Sequence, residues 1–147
     1  MNKISGGPFC TQIRVRYSEI DKLGIAHNSH YLTWFEVART ELLRSYDLTY
    51  NELEKTGFHF PLVEAGIKYM KPVLYDDVLT VMSSVAHKPG VRVRIDYKIH
   101  KDGEVVATGF TEHAFVDDNL RPSRPPKNVR DKLLMVWDHS TGAQKRE

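Results

Sequence analysis

Asp21 is the residue of this chain best placed to do chemistry. It sits in the stretch Tyr17-Ser18-Glu19-Ile20-Asp21-Lys22-Leu23-Gly24-Ile25-Ala26-His27-Asn28-Ser29-His30-Tyr31, which joins a strand-like segment to a helical one. A connection of that length exceeds what two neighbouring elements need, and functional residues concentrate in such loops. Asp21 lies a few residues ahead of a helix start, where unpaired N–H groups and partial positive charge can polarise a carbonyl. A carboxylate facing a polarised carbonyl is equipment for hydrolysis, as general base on water or as nucleophile. The same residues also suit an ordinary turn, opened by Asp21 and given its positive φ by Gly24.

Other reactive side chains are weaker candidates. His27 and His30 are three apart, so one helical turn can aim both at a substrate, or they can cap and hydrogen-bond at the surface. As a zinc pair they lack a nearby third ligand, and no metal or other cofactor is expected. Cys10, the single cysteine, opens a strand with no histidine beside it and reads as incidental. There is no Gly-x-Ser-x-Gly elbow and no glycine-rich phosphate loop. Arg92 and Arg94 share the polar face of one strand, with Lys88 at its entry turn. They either fork onto a phosphate or form a solvated face.

The elements that must position these residues follow from periodicity. Thr11, Ile13, Val15 and Tyr17 alternate with polar residues, so a half-buried strand is expected with those four on one face. Tyr31, Phe35, Ala38, Leu42 and Tyr46 recur at helical spacing, predicting a long amphipathic helix over 29–46, capped by Asn28 or Ser29. A short helix over 50–55 should end at Gly57. Strands are predicted near 63–69, 78–86, 91–100 and 104–116, with Asp102-Gly103 as a hairpin turn. Prolines 122, 125 and 126 precede a last helix near 127–137. One long apolar helix after the first strand must be covered by the sheet, which implies an α+β sheet curled around it. The outer face and edges of that sheet would still need cover, which favours a dimer or tetramer.

Composition narrows the setting. The chain has 147 residues, of which 41% are hydrophobic and 27% charged, as expected of one globular domain over 1–147. Lys and Arg total 21 against 19 acids, a net +2 that does not suggest a nucleic-acid partner. The excess sits in a basic tail from about residue 121. No apolar run reaches membrane-spanning length, and residues 1–8 lack the apolar stretch of a signal peptide, so a cytoplasmic protein is expected.

The pattern Tyr-x-Glu-x-Asp-x-x-Gly over 17–24, then Tyr31 and Trp34-Phe35-Glu36-x-x-Arg39, resembles the 4-hydroxybenzoyl-CoA thioesterase family of hot-dog folds. Ile67-Lys68-Tyr69 with Pro72, His113-Ala114-Phe115-Val116-Asp117 and Arg121-Pro122 extend the resemblance over about 10–126. The resemblance implies hydrolysis of acyl-CoA or acyl carrier protein thioesters without metal, at sites between subunits of a homodimer or homotetramer. It assigns Asp21 the catalytic carboxylate and Asn28 the backbone N–H offered to the thioester oxygen. Beside that resemblance, the residues themselves suggest His27, His30, Tyr31 and Glu64 as contacts to the acyl group, and Lys88, Arg92 and Arg94 as contacts to the CoA 3′-phosphate. At His27 and Asn28, relatives often carry Tyr and His. That exchange spares Asp21 and bears on which acyl group is accepted, 1,4-dihydroxy-2-naphthoyl-CoA being among the possibilities. A non-catalytic acyl-CoA binding module, with Asp21 structural, is the rival from another class.

Overall fold

The computed structural model describes residues 7–142. Strand β1 (Phe9–Arg14) leads through a short 3-10 turn (Tyr17–Glu19) and the Asp21 loop into helix α1 (His30–Arg44). Helix α2 (Tyr50–Lys55) follows, then β2 (Leu62–Tyr69), β3 (Val78–Ser84), β4 (Arg92–Lys101) and β5 (Glu104–Ala114). Helix α3 (Lys127–Gly142) runs five residues beyond the predicted end at 137. The strands form one antiparallel sheet in the order β1-β3-β4-β5-β2, the α+β hot-dog arrangement with α1 against its inner face.

Periodicity explains that packing. The α1 residues Tyr31, Trp34, Phe35, Ala38, Leu42 and Leu43 are buried, as are the alternate β4 residues Val93, Ile95, Tyr97 and Ile99. Phe35 stacks on Tyr97 with ring centroids 4.2 Å apart. The helix comes this close because β5 carries glycine at position 109. A Cβ there would stand 2.6 Å from the Phe35 ring and 2.6 Å from the Gly66 carbonyl, inside any real contact distance. At the β4–β5 turn Asp102 and Gly103 both have positive φ, as a two-residue hairpin matched to strand twist requires.

A polar chain crosses this core. Arg39, nearly buried on α1, donates from Nε to the Tyr50 hydroxyl at 2.8 Å and from a terminal nitrogen to the Tyr97 hydroxyl at 3.4 Å. Tyr97 shares a 2.6 Å hydrogen bond with Thr111, which in turn meets Nε2 of His113 at 3.0 Å. His113 is 1% exposed, and Phe60 lies against its ring. Burial, aided by the Arg39 charge, lowers its pKa to about 4.

The first strand stops earlier than its alternation predicts. Val15 is buried as expected, but Tyr17 is 80% exposed. The Glu19 carboxylate accepts the Arg16 N–H at 2.8 Å, turning the chain off the ladder before Tyr17 can face the core.

Strand β2 is one edge of the sheet, β1 being the other. Leu62, Val63 and Tyr69 on it, and Met70 just after it, are all between 45% and 53% exposed, an apolar row with unpaired backbone groups.

Candidate active site

The Asp21 loop is a small hairpin of its own. Ile20 bridges Ala26, the Asp21 N–H donates to the Ile25 carbonyl at 2.9 Å, and the His27 N–H donates to the Glu19 carbonyl at 2.9 Å. Gly24, with φ +80°, makes the reversal. One side chain ties this hairpin to α1. The Glu19 carboxylate, 2% exposed, accepts the Trp34 indole N–H at 2.8 Å with its second oxygen. Burial alone would raise its pKa. The Arg16 N–H, the Trp34 indole and the Arg16 guanidinium outweigh that and hold it below the usual carboxylate value. In the sequence Glu19 stands out only as part of the Tyr-x-Glu-x-Asp pattern. A buried carboxylate able to reach a tryptophan N–H is the signal that identifies it as the loop's anchor.

This anchoring brings Asp21 and the start of α1 to one open cleft of about 460 Å³. Asp21, His27, Asn28 and Tyr31 line it from the loop and helix, and Tyr69 and Lys71 from the end of β2. Oδ1 of Asp21 accepts the Leu23 N–H at 2.8 Å, and Oδ2 has no partner among the described residues. The Asn28 N–H likewise meets no acceptor among them. Its carbonyl accepts the Tyr69 hydroxyl at 3.3 Å, fastening the helix start to the edge strand. The Tyr31 and Tyr69 rings meet edge to face at 4.8 Å, and burial raises the Tyr31 pKa, with a further contribution from Tyr69. Lys71, which pairs with Glu104 at 2.6 Å, is a cation at this cleft that sequence reading did not single out.

The cap of α1 differs from the expectation. Ser29 occupies the cap position in helical conformation and its side chain caps nothing. The acceptor is instead the His27 ring, whose Nδ1 receives the Ser29 N–H at 3.2 Å and lies 2.8 Å from the Ser29 hydroxyl. A histidine three residues ahead of the helix thus takes up the N–H of the cap residue, where an Asp or Asn cap would accept from within the first turn.

The remaining predicted site residues lie elsewhere. His30 faces His27 at 6.2 Å between ring centroids but is not part of the cleft wall. Glu64 is exposed on β2 opposite Glu112 and also stands off the wall. Arg92 pairs with Glu112 at 3.7 Å. Arg94 pairs with Asp96 at 3.0 Å and lies over the Phe110 ring at 4.1 Å. Lys88 is separated from both and shares a second cleft, of about 440 Å³, with Arg124, Lys127 and Arg130. No group of three His, Cys, Asp or Glu among the described residues has the geometry to hold a metal ion. No helix among them is long and apolar enough to cross a membrane.

Comparison with known proteins places this chain among relatives. Residues 7–133 match the family model described as the thioesterase-like superfamily. YneP of Bacillus subtilis, named as a candidate acyl-CoA thioesterase, is 34% identical over 113 residues, spanning 76% of this chain and 82% of that protein. YbgC of Haemophilus influenzae, named an acyl-CoA thioesterase, is 28% identical over 83% of this chain and 91% of its own. Among solved structures, the DHNA-CoA thioesterase of Staphylococcus aureus superposes with a TM-score of 0.77 at 28% identity, covering 95% of this chain and 91% of its own.

Proposed function

Because the chain belongs to the thioesterase-like superfamily, we propose that it hydrolyses the thioester of an acyl-CoA to free acid and CoA, with Asp21 and the start of α1 as its machinery. The observation that carries this reading is that Asp21 and Asn28 line one cleft while a carboxylate oxygen of the first and the backbone N–H of the second have no protein partners among the described residues. The Asn28 N–H receives the negative charge that builds on the thioester oxygen. Oδ2 of Asp21 either takes a proton from the attacking water or attacks the carbonyl carbon itself. In the first route the water oxygen bonds to carbon and the C–S bond breaks. The thiolate then leaves with the proton that Asp21 holds. In the second, an acyl-aspartyl anhydride forms as the C–S bond breaks and CoA leaves as the thiolate. Water then cleaves the anhydride, restoring the Asp21 carboxylate and releasing the acid and the proton that the thiolate takes up.

The acyl group we assign is aromatic. Tyr31 and Tyr69 form an edge-to-face corner at the cleft, and Ile25 and Met70 complete an apolar side. The similarity to a solved thioesterase named for a naphthoyl-type substrate supports the same class.

The working unit we assign is at least a dimer. The cleft ends on Tyr69–Pro72, directly beside the open β2 edge, so a second copy added along β2 closes it. Antiparallel pairing there sets the start of one β2 against the end of the other. Leu62 lies opposite His113, which lies opposite Val93, so the Lys88 turn belongs to the Leu62 end. Such pairing therefore carries the partner subunit's Lys88 toward this cleft. We assign that residue, with Arg124, Lys127 and Arg130 of the same subunit, to the CoA phosphates. Arg92 and Arg94, already engaged by acids, contribute less.

The test is Asp21→Asn, assayed with benzoyl-CoA and octanoyl-CoA by detection of free thiol. A folded variant should lose about 10²–10⁴ in turnover, because the amide neither accepts the proton nor attacks. Near wild-type turnover removes Asp21 from catalysis. Tight acyl-CoA binding without hydrolysis in the unmodified protein would favour the binding module instead.

A further inference from the structure

The chemistry of the His27 ring is fixed by its neighbour. A backbone N–H can only donate, so the 3.2 Å contact from the Ser29 N–H makes Nδ1 an acceptor. The Ser29 hydroxyl, 2.8 Å from the same nitrogen, can donate to it as well. A neutral imidazole whose Nδ1 is bare carries its proton on Nε2. Nδ1 is turned back toward the helix start while the ring lines the cleft, and Nε2 has no hydrogen-bond partner among the described residues. His27 also precedes Asn28, whose N–H is the proposed donor to the thioester oxygen. Two consecutive residues that line one cleft therefore each carry an N–H without a partner among the described residues, and one of the two is a side chain.

We propose that Nε2–H of His27 is a second donor to the thioester oxygen, beside the Asn28 N–H, with Ser29 holding the tautomer that makes it a donor. This rests on the acyl-CoA reading above and adds to it a catalytic group that acts by hydrogen bonding rather than by proton transfer. A neutral imidazole suits the role, because it offers charge stabilisation without giving up its proton to the oxyanion. The loop explains why the ring stays put. Its backbone N–H is taken by the Glu19 carbonyl and its Nδ1 by Ser29, so ring and backbone are both fixed before substrate arrives.

Two substitutions separate this role from a purely structural cap. In His27→Asn the side-chain oxygen still reaches the Ser29 N–H, as in an ordinary cap, but nothing stands where Nε2–H was. In His27→Gln the longer amide puts an N–H near the Nε2 position and gives up the short cap. With benzoyl-CoA as the probe, the Asn variant should lose about 10²–10³ in kcat at little change in KM, the usual cost of one oxyanion donor. The Gln variant should stay within about tenfold of wild type, because an amide can replace the donor. Circular dichroism checks that both are folded. Wild-type kcat in the Asn variant, or equal losses in both, overturns the proposal, since a cap or a merely structural histidine gives those results. The Asp21→Asn variant run alongside keeps the two questions apart. If it retains turnover the carboxylate reading fails, whereas a flat His27 pair with an inactive Asp21→Asn removes only the second donor.

Discussion

Acidification should weaken this fold through one buried histidine. His113 is 1% exposed, and its ring nitrogens are spent on Thr111 and the Phe60 carbonyl. Its pKa falls from 6.5 to about 4 on folding, because the charged form would be buried near Arg39. The unfolded chain therefore binds this proton at a higher pH than the folded one. Stability is fully present above about pH 6.5 and drains as pH falls toward 4. At about 1.4 kcal/mol per unit of pKa difference, the whole effect is about 3 kcal/mol, with about 2 kcal/mol gone by pH 5. Urea unfolding at pH 7.5 and pH 5, at one fixed protein concentration, measures it. His113→Gln supplies the reference, since it keeps a polar group beside Thr111 and does not titrate. The wild type should lose about 2 kcal/mol more than the variant over this interval. Carboxylates such as Glu19 cancel in that comparison. Equal losses in the two proteins would refute the reading of His113 as a neutral, buried imidazole.

Two further outcomes follow from the open edge and the basic cleft. Sedimentation at micromolar concentration should give at least twice the 17.0 kDa chain mass, and Val63→Lys on the edge strand should shift the protein toward monomer with loss of turnover. A wild-type monomer with full activity would break the shared-site reading. Joint replacement of Lys88 and Arg130 by Ala should raise KM for a CoA thioester about tenfold and leave kcat nearly unchanged, because a remote phosphate contact is equal in ground and transition states. The matching pantetheine thioester, which lacks the nucleotide, should not respond. Equal loss on both substrates would make these cations supports of the fold.

How far the sequence could be read depends on the range of the interactions involved. The helix over α1 and the strands were legible because each carries its own period, and Asp102-Gly103 because a hairpin turn states its own φ. The Asp21 loop was legible for the same reason, since Gly24, Asp21 and the helix start lie within one short stretch. What was hidden depends on partners from elsewhere in the chain or on competition among near neighbours. Arg92 and Arg94 look like free phosphate forks until the strand ladders and the local turn of the side chain supply Glu112 and Asp96. Lys88 meets Arg124, Lys127 and Arg130 only because α3 folds back past the 88–90 turn. The capping of α1 by His27 rather than Ser29 was hidden differently. Either residue could serve, and the hairpin's hold on the His27 backbone decides between them.

The same geometry explains why the site sits where it does. Along the run from Arg39 to His113 each polar side chain meets a partner, and a satisfied group has nothing left to offer a substrate. The helix start is different. Its first N–H groups lack intrahelical acceptors by construction, and here the Asp21 hairpin is clamped beside them by Glu19 and Trp34. The clamp consumes the anchor's own valences, leaving Oδ2 of Asp21 and the Asn28 N–H unspent. On the proposed reading, catalytic capacity is what remains after the loop has been fixed, and rigidity and reactivity come from different atoms of neighbouring residues. Glu19 and Asp21 are the clearest case: two carboxylates two residues apart, one buried with both oxygens engaged, the other at the cleft with one oxygen free among the described residues.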